Sequence, residues 1–89
     1  MTYSARIHVD CAREMNKACR KNPVLRKALE NKIAEIVQNL GRYKPLRNIH
    51  AGEYLVHILK SFVLKFTVEE NSRMVSFIAF DHHDDAYRR

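Results

Sequence analysis

The sequence predicts an α+β fold of order β-α-α-β-β-β, in which a two-helix hairpin packs on a mainly antiparallel four-stranded sheet. Two observations support this. After a short alternating segment, apolar residues recur with helical spacing up to about residue 40. From residue 42 onwards, β-branched and aromatic runs alternate with polar turns. The chain has 89 residues, so we expect one small domain over residues 1–89.

The first strand and helix are predicted within residues 3–21. Residues 3–9 alternate in polarity, so one face should carry Tyr3, Ala5, Ile7 and Val9. Asp10 is the expected N-cap of a helix from Cys11 to about Lys21. The inner stripe of this helix is thin and consists of Cys11, Met15, Ala18 and Cys19. Its outer face is basic, with Arg13, Lys17, Arg20 and Lys21.

The second helix should begin at Asn22-Pro23, because asparagine caps helices and proline suits the first helical position. We expect it to run to Leu40 and to stop at Gly41. Its apolar positions follow a 3.6-residue period: Val24, Leu25, Ala28, Leu29, Ile33, Ile36, Val37 and Leu40.

The remaining three strands are predicted at residues 49–59, 62–68 and 74–80. Lys60-Ser61 should form a tight turn, and residues 69–73 a polar hairpin loop. Within the first of these strands His57 alternates with Val56 and Ile58, so it should face away from the core.

Composition restricts the function classes. The formal charge of +6 favours anionic partners such as nucleic acid, ribosome or an acidic protein, although a merely soluble surface would also explain it. Cys11 and Cys19 are too far apart in one helix for a disulfide, so we expect reduced, half-buried thiols and a cytoplasmic protein. With no signal peptide and no long apolar run, neither export nor membrane insertion is expected.

The C-terminal segment carries the densest proton-transfer chemistry. His82 and His83 follow the last predicted strand, and Tyr87 and Arg88 come shortly after them. Imidazole titrates near neutral pH, and arginine favours a phosphate-bearing partner. If the strand alternation continues, one histidine faces the helices and the other the open face of the sheet. A solvated polar tail is the alternative interpretation.

A metal site in this segment is not expected. Adjacent ligands such as His82, His83, Asp84 and Asp85 rarely converge on one ion without another ligand elsewhere. We therefore expect neither a metal nor another cofactor.

The pattern resembles the RelE/ParE superfamily of toxins from bacterial and archaeal toxin–antitoxin pairs. The element order matches over nearly the whole chain, and three segments carry the resemblance: Lys44-Pro45-Leu46-Arg47 before the sheet, Phe62-Val63-Leu64-Lys65-Phe66 in its central strand, and residues 81–88 at the end. In the family motif a histidine precedes the tyrosine by four or five positions, and this chain has both spacings.

The resemblance implies a metal-independent endoribonuclease that cleaves mRNA in the ribosomal A site and thereby inhibits translation. It also implies a cognate antitoxin that binds and silences it. The RNA 2′-hydroxyl would be the nucleophile, with His82, His83 and Tyr87 as catalytic candidates for proton transfer. Other members of the superfamily poison DNA gyrase and are not nucleases.

Five further residues are candidates for substrate contact: Lys44, Arg47, His57, Lys60 and Arg88. Each could instead be an ordinary surface residue. Family nucleases commonly carry an arginine in the strand before the turn, where this chain has Leu55-Val56-His57, and Lys65 replaces an arginine of the central strand. The candidate site residues of this chain therefore resemble those of a histidine-using subgroup of the family.

The alternative hypothesis is a non-catalytic binding module on the same fold, either a gyrase inhibitor or an RNA-binding protein. The charge excess supports it without the histidines. The basic face of the first helix fits either hypothesis, because it could bind ribosomal RNA phosphates or an acidic antitoxin helix. The groove between the helices and the sheet edge is another possible antitoxin seat.

Overall fold

The predicted order of helices and strands is confirmed. The computed structural model describes residues 2–43 and 53–82. Their elements are β1 (Ser4–Ile7), α1 (Val9–Cys19), α2 (Pro23–Gln38), a 3₁₀ turn (Leu40–Arg42), β2 (Glu53–Ile58), β3 (Phe62–Glu69) and β4 (Met74–His82). The predicted strand residues 49–52 lie outside the described part of the chain.

The four strands form one sheet with the spatial order β1-β4-β3-β2. β3 pairs antiparallel with both β2 and β4, whereas β1 runs parallel to β4. The sheet is therefore mixed and mainly antiparallel, as predicted. α1 packs along β4, and α2 contacts α1 and β2, so the helices cover one face.

The core lies between the helices and this covered face. Its largest fully buried side chains include Phe66, Phe77, Leu25 and Ile36. The thiols of Cys11 and Cys19 are 1% and 4% exposed, so the expectation of half-buried cysteines was wrong. Neither thiol forms a disulfide, and burial beneath the sheet explains why they behave as small apolar side chains.

α1 begins two residues earlier than predicted, and its cap is a different residue. His8, and not Asp10, is the N-cap: its Nδ1 accepts a hydrogen bond from the Asp10 N–H at 3.2 Å. Asp10 instead lies in the first turn, where its negative charge is favourable beside the helix N-terminus. The helix ends at Cys19 and not at Lys21.

The predicted start of α2 is confirmed. Asn22 Oδ1 accepts a hydrogen bond from the Leu25 N–H at 3.1 Å, and Pro23 occupies the first turn. The predicted end was wrong, because the helix stops at Gln38 and the chain tightens into the 3₁₀ turn. Val24 is 66% exposed and does not belong to the apolar stripe that faces the core.

β1 is shorter and more exposed than its alternating sequence predicts. All four of its residues are exposed, and Ile7 and Val9 are 41% and 64% exposed. β1 lies at the edge of the sheet, and α1 packs on the neighbouring strand β4. The alternation therefore correctly indicated a strand but not a buried face.

A β-bulge in β4 determines which residues face the core. Phe66 pairs with Phe77 and Lys65 pairs with Ala79, so Ile78 has no partner in β3. If all these residues formed a regular strand without the bulge, strict alternation from Phe77 would turn Phe80 away from the helices. With the bulge Phe80 pairs with Leu64 and is 3% exposed.

Both hairpin turns contain a residue with a left-handed backbone. Leu59 has φ 55° in the β2–β3 turn, and Arg73 has φ 52° before β4. A leucine in this region is strained, because its Cβ crowds the backbone. None of the helices within residues 2–43 and 53–82 combines the length and the hydrophobicity that a transmembrane span needs.

Candidate functional site

Three of the predicted site residues lie at one end of the sheet. Ile58 pairs with Phe62, and Phe62 pairs with His82, so the end of β2, the start of β3 and the end of β4 meet there. His57 precedes Ile58, and Lys60 lies in the turn that joins β2 to β3. Since adjacent strands are ~4.8 Å apart, this end is about 10 Å wide from β2 to β4.

The two histidines of this end occupy opposite faces of the sheet. His57 pairs with Val63, and Val63 pairs with Asp81. Paired residues share a face, so His57 and Asp81 belong to the open face. His57 is exposed there, as predicted. His82 shares the helix-covered face with Phe62.

The sequence predicted that His82 follows the last strand. In the structure His82 instead belongs to β4 and is its last residue. His82 is exposed, and its imidazole contacts the Phe62 ring edge-on, with the ring centroids 5.5 Å apart. Beside it, a shallow depression is lined by Glu14, Lys17, Ala18, Phe80, Asp81 and His82. α1 therefore contributes charged side chains to the surroundings of His82.

The nearby thiol is not suited to nucleophilic chemistry. Burial raises the pKa of Cys11 to about 11, and the negative charge of Asp81 adds to this rise. A thiol with such a pKa stays protonated at neutral pH, whereas the thiolate is the reactive form. Cys11 is therefore not a candidate for the chemistry at this end of the sheet.

The open face also carries polar groups that are not among the site residues predicted from the sequence. Lys65 Nζ lies 4.0 Å from Glu53 Oε1, and both side chains are partly exposed. Arg6 lies in the same cross-strand row as Glu53, through Ser76 and Thr67. Continued alternation from Phe62 through Phe66 would have placed Lys65 on this face.

The remaining candidates fall outside the described residues. These are Lys44, Arg47, His83, Tyr87 and Arg88, and their proposed roles stay predictions. Within residues 2–43 and 53–82, no group of three histidine, cysteine or carboxylate side chains could hold a metal ion.

Two archaeal proteins are similar to the chain over nearly its full length. A Methanocaldococcus jannaschii protein named "Putative toxin RelE4" is 40% identical over 87 residues, covering 98% of this chain and 93% of that protein. An uncharacterized Methanosarcina mazei protein is 35% identical over 85 residues, covering 96% and 99%. No protein-family model matches the sequence.

Solved structures share the fold at low sequence identity. An Escherichia coli RelE mutant in the free state superposes with a TM-score of 0.77 at 20% identity, over 99% of this chain and 90% of that one. The RelBE2 toxin–antitoxin complex of Mycobacterium tuberculosis gives 0.75 at 20% identity, covering 93% and 100%. The agreement of the archaeal sequence similarity with this shared fold establishes that the chain belongs to the RelE toxin family.

Proposed function

We propose that this protein is the toxin of a type II toxin–antitoxin system and a ribosome-dependent, metal-independent mRNA endonuclease. The observation that carries the proposal is the placement of His57, Lys60 and His82 at one end of the sheet, with the two histidines on its opposite faces. His82 is the last described residue of the chain, and His83, Tyr87 and Arg88 follow it in the sequence. Membership of the RelE family supports the same conclusion.

Cleavage by the RNA 2′-hydroxyl requires three contributions. A base removes the 2′-proton, cations stabilise the charge that develops on the phosphate, and an acid protonates the leaving 5′-oxygen. Histidines can perform both proton transfers near neutral pH. We assign proton transfer to His82 or His83 together with Tyr87. We assign phosphate binding to four basic residues: Lys44, Arg47, Lys60 and Arg88.

The strained turn before Lys60 supports a functional role for this end. Leu59 holds a backbone conformation that costs leucine energy, with φ 55°, and strain of this kind concentrates at functional sites. Lys60 itself lies in this turn and is exposed. His57 would contact RNA from the open face, while His82 acts from the side of α1.

The proposed partners are mRNA, the ribosome and a cognate antitoxin. The structural neighbours include the RelBE2 complex and the Escherichia coli DinJ–YafQ toxin–antitoxin complex, which has a TM-score of 0.73 at 12% identity. An acidic antitoxin segment would complement the chain's charge of +6. We place the protein in the cytoplasm, where mRNA is translated, and assign it no cofactor.

The test is primer extension on translated mRNA after induced expression. Wild-type protein should produce new cleavage ends, and a His82/His83/Tyr87 triple substitution should abolish them. Single His82→Gln and His83→Gln variants decide which imidazole is required. Because imidazole changes charge between about pH 5 and 8, the cleavage rate in a reconstituted translation system should vary over this range.

Lys60→Ala and Lys27→Ala form a matched pair for phosphate contact. Both remove one exposed lysine, but Lys27 lies on α2 and not in the β2–β3 turn. Only the Lys60 variant should lose cleavage.

Intact mRNA with wild-type protein, together with inhibition of gyrase supercoiling, would overturn the nuclease proposal in favour of a gyrase-directed toxin.

A further inference from the structure

A second polar depression lies at the opposite end of the sheet from His82. It is bordered by the start of β1, the end of α2, the 3₁₀ turn, the start of β2 and the β3–β4 loop. The side chains of Tyr3, Tyr54, Gln38, Asn39 and Glu70 line it. Its volume of about 380 Å³ falls at the small end of the range found for ligand clefts.

Aromatic packing fixes the ring of Tyr54, one of the residues that line this depression. One face of the Tyr54 ring stacks on the buried Phe66 ring, with centroids 4.9 Å apart and planes 8° from parallel. This packing holds the Tyr54 ring in place while the ring also lines the depression. An aromatic ring held in this way can stack a planar ligand at little entropic cost.

The polar part is also held in place. The Tyr3 hydroxyl donates to Glu70 Oε1 at 2.5 Å and lies 3.3 Å from Oε2. A carboxylate has about four acceptor positions, so Glu70 can accept further hydrogen bonds while Tyr3 holds it. The amides of Gln38 and Asn39 are exposed beside it and offer both donors and acceptors.

Two guanidiniums flank the depression. Arg73 opposes the rise in the pKa of Tyr3 that the Glu70 hydrogen bond causes. Arg42 opposes the rise in the pKa of Tyr43 that burial and Glu35 cause. These nearby cations disfavour a basic peptide as ligand, and they favour a planar group that carries a phosphate.

We propose that this depression binds an unstacked guanine base of a nucleotide, with the ring on Tyr54 and the Watson–Crick edge on Glu70. Guanine presents two adjacent N–H donors on that edge, which suit a carboxylate acceptor, whereas adenine presents one donor beside an acceptor. This site goes beyond the proposed function, because it is a base-binding site remote from the cleavage chemistry. It rests on the proposed function only for the expectation that RNA supplies the base.

The experiment titrates ¹⁵N-labelled full-length protein with GMP, with AMP, and with single-stranded oligonucleotides containing guanosine or only adenosine. The side-chain amide signals of Gln38 and Asn39 report binding at the site itself. We expect GMP to shift these signals and AMP to bind more weakly. A guanosine oligonucleotide that binds more tightly than GMP would identify RNA as the source, and equal affinity would identify the free nucleotide.

Glu70→Gln keeps the shape of the side chain and removes its charge, so it should weaken GMP binding by about 10-fold or more. Glu30→Gln is the control, because Glu30 is an exposed carboxylate on α2 outside the depression. Equal affinities of the two variants would overturn the proposal. Unshifted amide signals with GMP, or shifts with an arginine-rich peptide instead of GMP, would also overturn it.

The binding assay contains no ribosome and does not depend on cleavage. A wild-type protein without nuclease activity that still binds GMP would contradict the proposed function alone. A protein that cleaves mRNA but does not bind GMP would contradict the guanine site alone.

Discussion

At the scale of single residues, a hydrogen bond between Tyr43 and Glu35 fastens the 3₁₀ turn to α2. The Tyr43 hydroxyl donates to Glu35 Oε1 at 2.5 Å, and its ring meets Phe66 edge-on. Burial, followed by this hydrogen bond, raises the pKa of Tyr43 to about 12. The same hydrogen bond, followed by the charge of Lys32, lowers the pKa of Glu35. The one hydrogen bond therefore raises the pKa of Tyr43 and lowers the pKa of Glu35.

The first prediction concerns alkaline stability. A phenol whose pKa is raised on folding contributes stability below its unfolded value near 10, and this contribution is lost as the pH rises towards about 12. Tyr43→Phe should therefore destabilise the protein at pH 8, and the difference from wild type should shrink above pH 10. Urea unfolding across this range measures it. A difference that is constant with pH would contradict the role of the hydroxyl proton.

The same substitution should change the titration of Glu35. Since the Tyr43 hydroxyl is the main cause of the lowered pKa of Glu35, Tyr43→Phe should raise that pKa. The stability due to this carboxylate is present above its unfolded pKa and is lost as the pH falls through the folded one. A carboxyl carbon NMR titration of both proteins measures the shift, and an unchanged Glu35 pKa would refute the coupling.

At the scale of elements, the start of α2 depends on one side chain. Asn22 satisfies the Leu25 N–H at the helix N-terminus, and loss of such a cap costs about 1 kcal/mol. Asn22→Ala should lower the free energy of unfolding by this amount. Asn31→Ala, at an exposed position within the same helix, is the control and should be neutral or slightly stabilising, because alanine favours helix.

The bulge in β4 gives a sharper test of register. Deleting Ile78 removes the unpaired residue, yet Phe77 still pairs with Phe66 and Phe80 with Leu64. Deleting Ser76 instead leaves all later residues of β4 in place. If β4 then pairs regularly with β3, counting back from the Phe80–Leu64 pair, Phe77 turns out of the core. We expect the first deletion to fold and the second to fail, as judged by circular dichroism and thermal unfolding. Equal failure would mean that the bulge itself, through its effect on strand twist, is required.

At the scale of the whole molecule, positive charge concentrates on the outer face of α1. Arg13 and Lys17 on α1 are exposed, and so is Arg20 directly after its end. Contacts between such side chains and RNA phosphates make binding strongly dependent on salt. Whether this face contacts ribosomal RNA can be decided by measuring affinity for small ribosomal subunits at several salt concentrations.

The double variant Arg13→Ala/Lys17→Ala should weaken ribosome binding and reduce the salt slope by about 1 for each cation removed. The matched control is Arg26→Ala/Lys27→Ala, which removes the same charge from exposed positions of α2. Identical slopes for the two double variants would show that binding follows net charge and not the α1 face.

The sequence alone determined much of the architecture. The 3.6-residue period of α2, the cap at Asn22 and the β-prone runs of the second half predicted the element order, because these signals act between neighbours in the chain. The segments that resemble RelE toxins indicated the family that the archaeal relative later established. His57 was correctly predicted to face away from the core, since alternation within one short strand needs no knowledge of other strands.

Only the tertiary structure decided how these elements share faces and edges. The exposure of β1 and the position of His82 on the helix side depend on strand order and on the bulge opposite Phe66. The proposed guanine site joins Tyr3 and Glu70, which are 67 positions apart in the sequence and meet only when β1 lies beside β4. Such contacts arise from long-range packing, for which local periodicity carries no signal.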